Sequence, residues 1–142
     1  MNDTRILVVD DDLTQLRTAK RVLSRCGYDV TTIASGAKAY ELMVLEADPL
    51  PGASQSRSPA RGRPKTSSYD LVILDLALNE ENDGLEIYNK IRQLYPEQKG
   101  ILASGHAFVD HEEQIRAANL VWLPKPYTIE SLTTAIRAAL RE

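Results

Sequence analysis

The 142-residue sequence predicts a doubly wound α/β domain, a parallel sheet with helices on both faces, and three observations lead there. Short β-branched apolar runs without helical period recur along the chain, each is followed by a segment with apolar residues at helical spacing, and the pair repeats five times. The first run, Arg5-Ile6-Leu7-Val8-Val9, stops on Asp10 and reads as a strand buried on both faces. After Asp10-Asp11-Asp12, the residues Leu13, Leu16, Val22 and Leu23 recur at roughly helical spacing until Gly27 supplies a stop. Residues 28–33 and 35–46 make the second pair, 70–75 and 85–95 the third, and 100–104 and 110–118 the fourth. The fifth strand is 120–123. Its helix starts from Thr128 as N-cap and carries a stripe of Ile129, Leu132, Ile136, Ala139 and Leu140.

Residues 1–142 suffice for one domain, and five βα units of this length predict the flavodoxin-like strand order 2-1-3-4-5. The rhythm breaks once, at about 47–68, where Pro, Ser, Gly and Arg crowd together in a stretch that offers no core face and reads as a flexible insertion. Within it Arg57, Arg61, Arg63 and Lys65 face no acid after Asp48, so a basic loop interrupts an acidic domain. The formal net charge of −3 argues against a dedicated nucleic-acid binder. No apolar run of spanning length and no signal peptide is present, so no membrane partner and a cytoplasmic location are expected. The single cysteine, Cys26, sits among helically spaced apolar neighbours and is expected to be a buried or half-buried thiol.

In a doubly wound sheet, ligands bind beyond the carboxyl ends of the strands, where the strand order reverses. The first strand ends in Asp10-Asp11 and the third in Asp75, and order 2-1-3 makes these strands neighbours. Each aspartate alone reads as a helix cap. Three together repel one another without a cation, and a few hard oxygen ligands suit Mg²⁺. The fourth strand stops at Ser104 and the fifth runs into Lys125-Pro126, adding a hydroxyl and an ammonium at the same rim. Those are the parts that stabilise a transferring phosphoryl group, with Asp75 as the nucleophile.

The blocks ILVVDDD, LVILDL, ILASGHA and WLPKPY together resemble the four signature blocks of bacterial two-component response-regulator receiver domains, over nearly the whole chain outside the insertion. The resemblance implies Asp10 and Asp11 as the metal-binding acidic pair, Asp75 as the phosphorylated aspartate, Ser104 as the switch hydroxyl and Lys125 as the phosphate-contacting lysine. It further implies that the main-chain carbonyl of Ala77 reaches the metal, that the peptide before Pro126 is cis, and that Gly105 leaves room for phosphate. Two features depart from the pattern. The run LALNEENDG after Asp75 is one residue longer than usual and lacks the common proline, and Trp122 stands where the family's aromatic switch is Tyr or Phe. A haloacid-dehalogenase-like phosphatase would need an acid at Ala77, and neither a Walker loop nor a Gly-rich dinucleotide motif occurs.

The implied function is a phosphorylation switch and not an enzyme acting on outside substrates. It would take its phosphoryl group from a histidine kinase or a histidine phosphotransfer protein, then change its partner-binding surface. The chain ends at its last helix, so the output is expected on a separate protein or module, with phosphorylation-dependent homodimerisation as one form of response.

Overall fold

The computed structural model describes residues 4–47, 67–76, 84–104, 120–125 and 127–140. Strands β1 (Arg5–Val9), β2 (Asp29–Ile33), β3 (Leu71–Asp75), β4 (Gly100–Ser104) and β5 (Leu120–Pro124) form one parallel sheet in the order β2-β1-β3-β4-β5. The expected 2-1-3-4-5 arrangement is therefore the observed one. Among the described residues the helices are α1 (Leu13–Arg25), α2 (Gly36–Ala47), α3 (Gly84–Leu94) and α4 (Ile129–Leu140). The helix expected at 110–118 lies outside the described residues.

The central strands β1, β3 and β4 are largely apolar because both faces of the sheet are covered there, while edge strand β2 keeps Asp29, Thr31 and Thr32. The apolar side chains alternate between two cores. Leu7, Val9, Val72, Leu74, Leu102 and Leu120 point to one core with Ala39 and Met43 of α2 and Leu85, Tyr88 and Ile91 of α3. Ile6, Val8, Leu71, Ile73, Ile101, Ala103 and Leu123 point to the other, with Leu16, Ala19 and Leu23 of α1 and Leu132, Ala135, Ile136 and Ala139 of α4. Each Val, Leu, Ile or Met side chain among them that is withdrawn from water contributes about 1.5–3 kcal/mol.

Helix ends follow local chemistry. Asp12 caps α1 by accepting from the N–H groups of Thr14 (3.0 Å) and Gln15 (3.4 Å). Gly27 at φ 97° then turns the chain from α1 towards β2, a conformation that favours glycine. Thr128 caps α4 as expected, its Oγ1 accepting from Ser131 N–H at 3.0 Å while Ser131 Oγ accepts from Thr128 N–H at 2.9 Å.

Three expectations about burial are corrected. Leu13 and Ile129 belong to the predicted stripes but are 59% and 61% exposed, because each is the first residue of its helix, before the stripe reaches the sheet. Cys26 is exposed and not half-buried: it is the C-cap of α1, where the chain leaves the stripe ending at Leu23.

The margins of the expected 47–68 insertion belong to the folded domain. Ala47 closes α2, and buried Ser67 donates its N–H to Gln98 Oε1 at 3.1 Å, while Gln98 Nε2 donates to the Tyr69 carbonyl at 3.0 Å. Residues 48–66, including Arg57, Arg61, Arg63 and Lys65, lie outside the described residues.

Candidate functional site

The alternation that sorts the core also assembles the site. At the strand ends, Asp10 follows Ile6 and Val8, Asp75 follows Leu71 and Ile73 as the last residue of β3, and Lys125 follows Val121 and Leu123, all in phase with the core shared by α1 and α4. The three side chains meet. Lys125 Nζ lies 3.0 Å from Asp10 Oδ2 and 3.3 Å from Asp75 Oδ2, with both carboxylates buried. Backbone bonds hold this rim: Asp10 N–H donates to the Ile33 carbonyl at 3.2 Å, and Lys125 N–H to the Ser104 carbonyl at 2.8 Å.

The three consecutive aspartates divide their work. Asp10 Oδ1 accepts from Asp12 N–H at 2.9 Å, and Asp12 spends its own carboxylate on the α1 cap. Exposed Asp11 joins Asp10 and Asp75 in a group whose nearest carboxylate oxygens all lie within 4.8 Å of one another. Such a group, open to water through Asp11, can bind a metal, and oxygen donors of this hardness match a divalent cation that keeps part of its water shell.

Burial works to lower the Lys125 pKa, but the hydrogen bond to Asp10 and the charge of Asp75 outweigh it and leave the ammonium above its ordinary value. The structure brings together Asp10, Asp11, Asp75 and Lys125. Ser104 is 1% exposed at the end of β4 and sits in phase with Leu102, on the opposite side of the sheet from Asp75. Trp122 is half-buried against the α2/α3 core. Ala77, Gly105 and Pro126 lie outside the described residues.

The chain is 31% identical over 135 residues to the alginate biosynthesis transcriptional regulatory protein AlgB of Pseudomonas syringae pv. tomato, covering 94% of this chain and 25% of that protein. To the response regulator MprA of Mycobacterium leprae it is 30% identical over 138 residues, covering 96% of this chain and 51% of that one. A CheY-like response regulator receiver domain protein from Methanospirillum hungatei JF-1 shares the fold at TM-score 0.75 and 23% identity, over 99% of this chain and 95% of that one. The chain belongs to the response-regulator receiver domains. As a receiver it is a phosphoacceptor module of two-component signalling. It spans a quarter of AlgB and about half of MprA. No family model matches it. Among the described residues no helix is long and apolar enough to cross a membrane.

Two residues beside this receiver's pocket were not singled out from the sequence. Half-buried Tyr127 packs against the α1/α4 core, and its phenol pKa is raised by burial and lowered by Lys125. Its signal was the aromatic closing WLPKPY. Gly84 lies against the main chain of Asp75, and its signal was the Asp-Gly pair that ends LALNEENDG.

Proposed function

We propose that this receiver accepts a phosphoryl group on Asp75 from a phosphohistidine of a histidine kinase or phosphotransfer protein, with Mg²⁺ held by Asp10, Asp11, Asp75 and the Ala77 carbonyl. The observation that carries this reading is the single ammonium of Lys125 shared between the buried carboxylates of Asp10 and Asp75. Asp75 Oδ attacks phosphorus, a P–O bond forms as the P–N bond to histidine breaks, and the imidazole leaves with its electron pair and gains a proton. Lys125 exchanges its carboxylate contact for an oxygen of the arriving phosphoryl group and neutralises charge there. Mg²⁺ supplies charge neutralisation on the phosphoryl oxygens. The Ser104 hydroxyl donates to another phosphoryl oxygen, and Trp122 answers by reorienting. The altered face around β5 then engages an output protein or a second copy of the domain. The reading places this exchange in the cytoplasm.

Acetyl phosphate with Mg²⁺ should add one phosphoryl group to the native protein and none to Asp75→Asn, with both variants giving the same circular dichroism. Intact mass spectrometry checks it. Full labelling of the Asn variant would place the acceptor elsewhere.

A further inference from the structure

The main chain just past Asp75 is held from two directions. Leu76 N–H donates to the Ala103 carbonyl at 2.7 Å, carrying the β3–β4 ladder one residue beyond Asp75, and the Leu76 carbonyl accepts from Gly84 N–H at 2.9 Å. Gly84 opens α3, and the start of that helix rests on the Asp75 peptide. A Cβ at 84 would overlap the Asp75 carbonyl oxygen, stand 2.9 Å from its carbon and 3.0 Å from Leu76 Cα. These are backbone atoms in a close-packed interior and cannot swing aside like the end of a flexible side chain. Relief must either lift α3, which carries buried Leu85, Ile87, Tyr88 and Ile91, or push the last residue of β3. Asp75 is that residue.

Resting on Asp75 as the phosphoacceptor, we infer that Gly84 is a positioning residue for phosphoryl transfer, its missing side chain letting α3 lock the Asp75 backbone where the carboxylate meets Lys125. It touches no reacting atom. Its leverage is geometric, since a displacement of about 1 Å at a reacting group costs on the order of a hundredfold in rate.

Gly100 offers a matched control. A Cβ there would overlap the Tyr88 ring and come within 3.0 Å of Leu120, but Gly100 opens β4, at the end of the strands opposite to Asp75. Both Gly84→Ala and Gly100→Ala should lower the melting temperature. At a temperature where both are folded, only Gly84→Ala should label roughly tenfold or more slowly with acetyl phosphate and bind Mg²⁺ more weakly by calorimetry. Equal slowing in the two variants would show a merely structural effect and overturn the inference. So would native-rate labelling of Gly84→Ala beside a labelled native protein, whereas a native protein that takes no label overturns the phosphoacceptor reading together with this one. Should Gly84→Ala not fold, hydrogen exchange at the Gly84 amide of the native protein decides: slow exchange, slowed further by Mg²⁺, supports the lock, and a rate indifferent to Mg²⁺ overturns it.

Discussion

At the scale of single residues, Lys125 carries the electrostatics of the pocket. Its ammonium lies against two buried carboxylates, with a third nearby, and so serves as their internal counter-cation. Because its pKa is raised in the folded state, the stability it contributes is fully present below the unfolded value of 10.5 and is lost only as pH rises through the folded value. The pair is therefore intact across the neutral range. Replacing this charge by Lys125→Gln should leave more negative potential for a cation, tightening Mg²⁺ by roughly fivefold or more, a unit charge at about 4 Å being worth about 1 kcal/mol even in water. Labelling of Asp75 should fall in the same variant, because the phosphoryl oxygens then lose the ammonium's share of their neutralisation. Calorimetry and mass spectrometry separate the two effects, and weaker Mg²⁺ binding would contradict the counter-cation role.

At the scale of elements, the register of β4 against β5 connects Ser104, the proposed switch hydroxyl, to Trp122. Leu102 pairs with Trp122 and Ser104 with Pro124, so Ser104 and Trp122 share a face of adjacent strands, one alternation apart. That face is the α2/α3 side, where Trp122 packs, while Asp75 alternates to the other side. A phosphoryl group that draws on the Ser104 hydroxyl thus acts across the end of the sheet, and packed elements answer by discrete shifts. Trp122 is the sole tryptophan, so beryllofluoride with Mg²⁺ should change the protein's intrinsic emission. In Ser104→Ala that change should shrink while calorimetric Mg²⁺ binding survives. An undiminished response would uncouple the hydroxyl from the aromatic.

At the scale of the whole molecule, the two cores and the sheet close without residues 48–66. Ser68 N–H donates to the Glu46 carboxylate at 2.6 Å, so the departure from α2 and the approach to β3 lie side by side. We propose that the segment between them is a dispensable insertion, and a short Gly-Ser link can replace it because its ends already meet. Shortening the loop lowers its closure entropy, so the melting temperature should hold or rise slightly. Labelling should stay within about twofold of native, because the segment's described flanks meet at the start of β3, the end away from Asp75. A shortened protein that melts without cooperativity or refuses phosphate would make the segment part of the fold.

The alternation of apolar runs and helical stripes determined the five strands, their order and the bounds of the four described helices to within a residue or two, because burial on both faces leaves the central parallel strands few polar positions. Residue types at strand ends also pointed to Asp10, Asp11, Asp75 and Lys125, which the structure brings together, since acids and a lysine at one rim have few joint uses. What only the tertiary structure decided is how these side chains divide. Asp11 faces the cluster while Asp12 caps α1, Lys125 is shared between Asp10 and Asp75, and Ser104 turns to the face opposite Asp75. The exposure of Leu13, Ile129 and Cys26 and the bearing of Gly84 on Asp75 were decided there too. The physical reason is common to all of them. Periodicity along a chain states which residues share a face, whereas the atoms that meet across elements depend on register and on where each helix leaves the sheet.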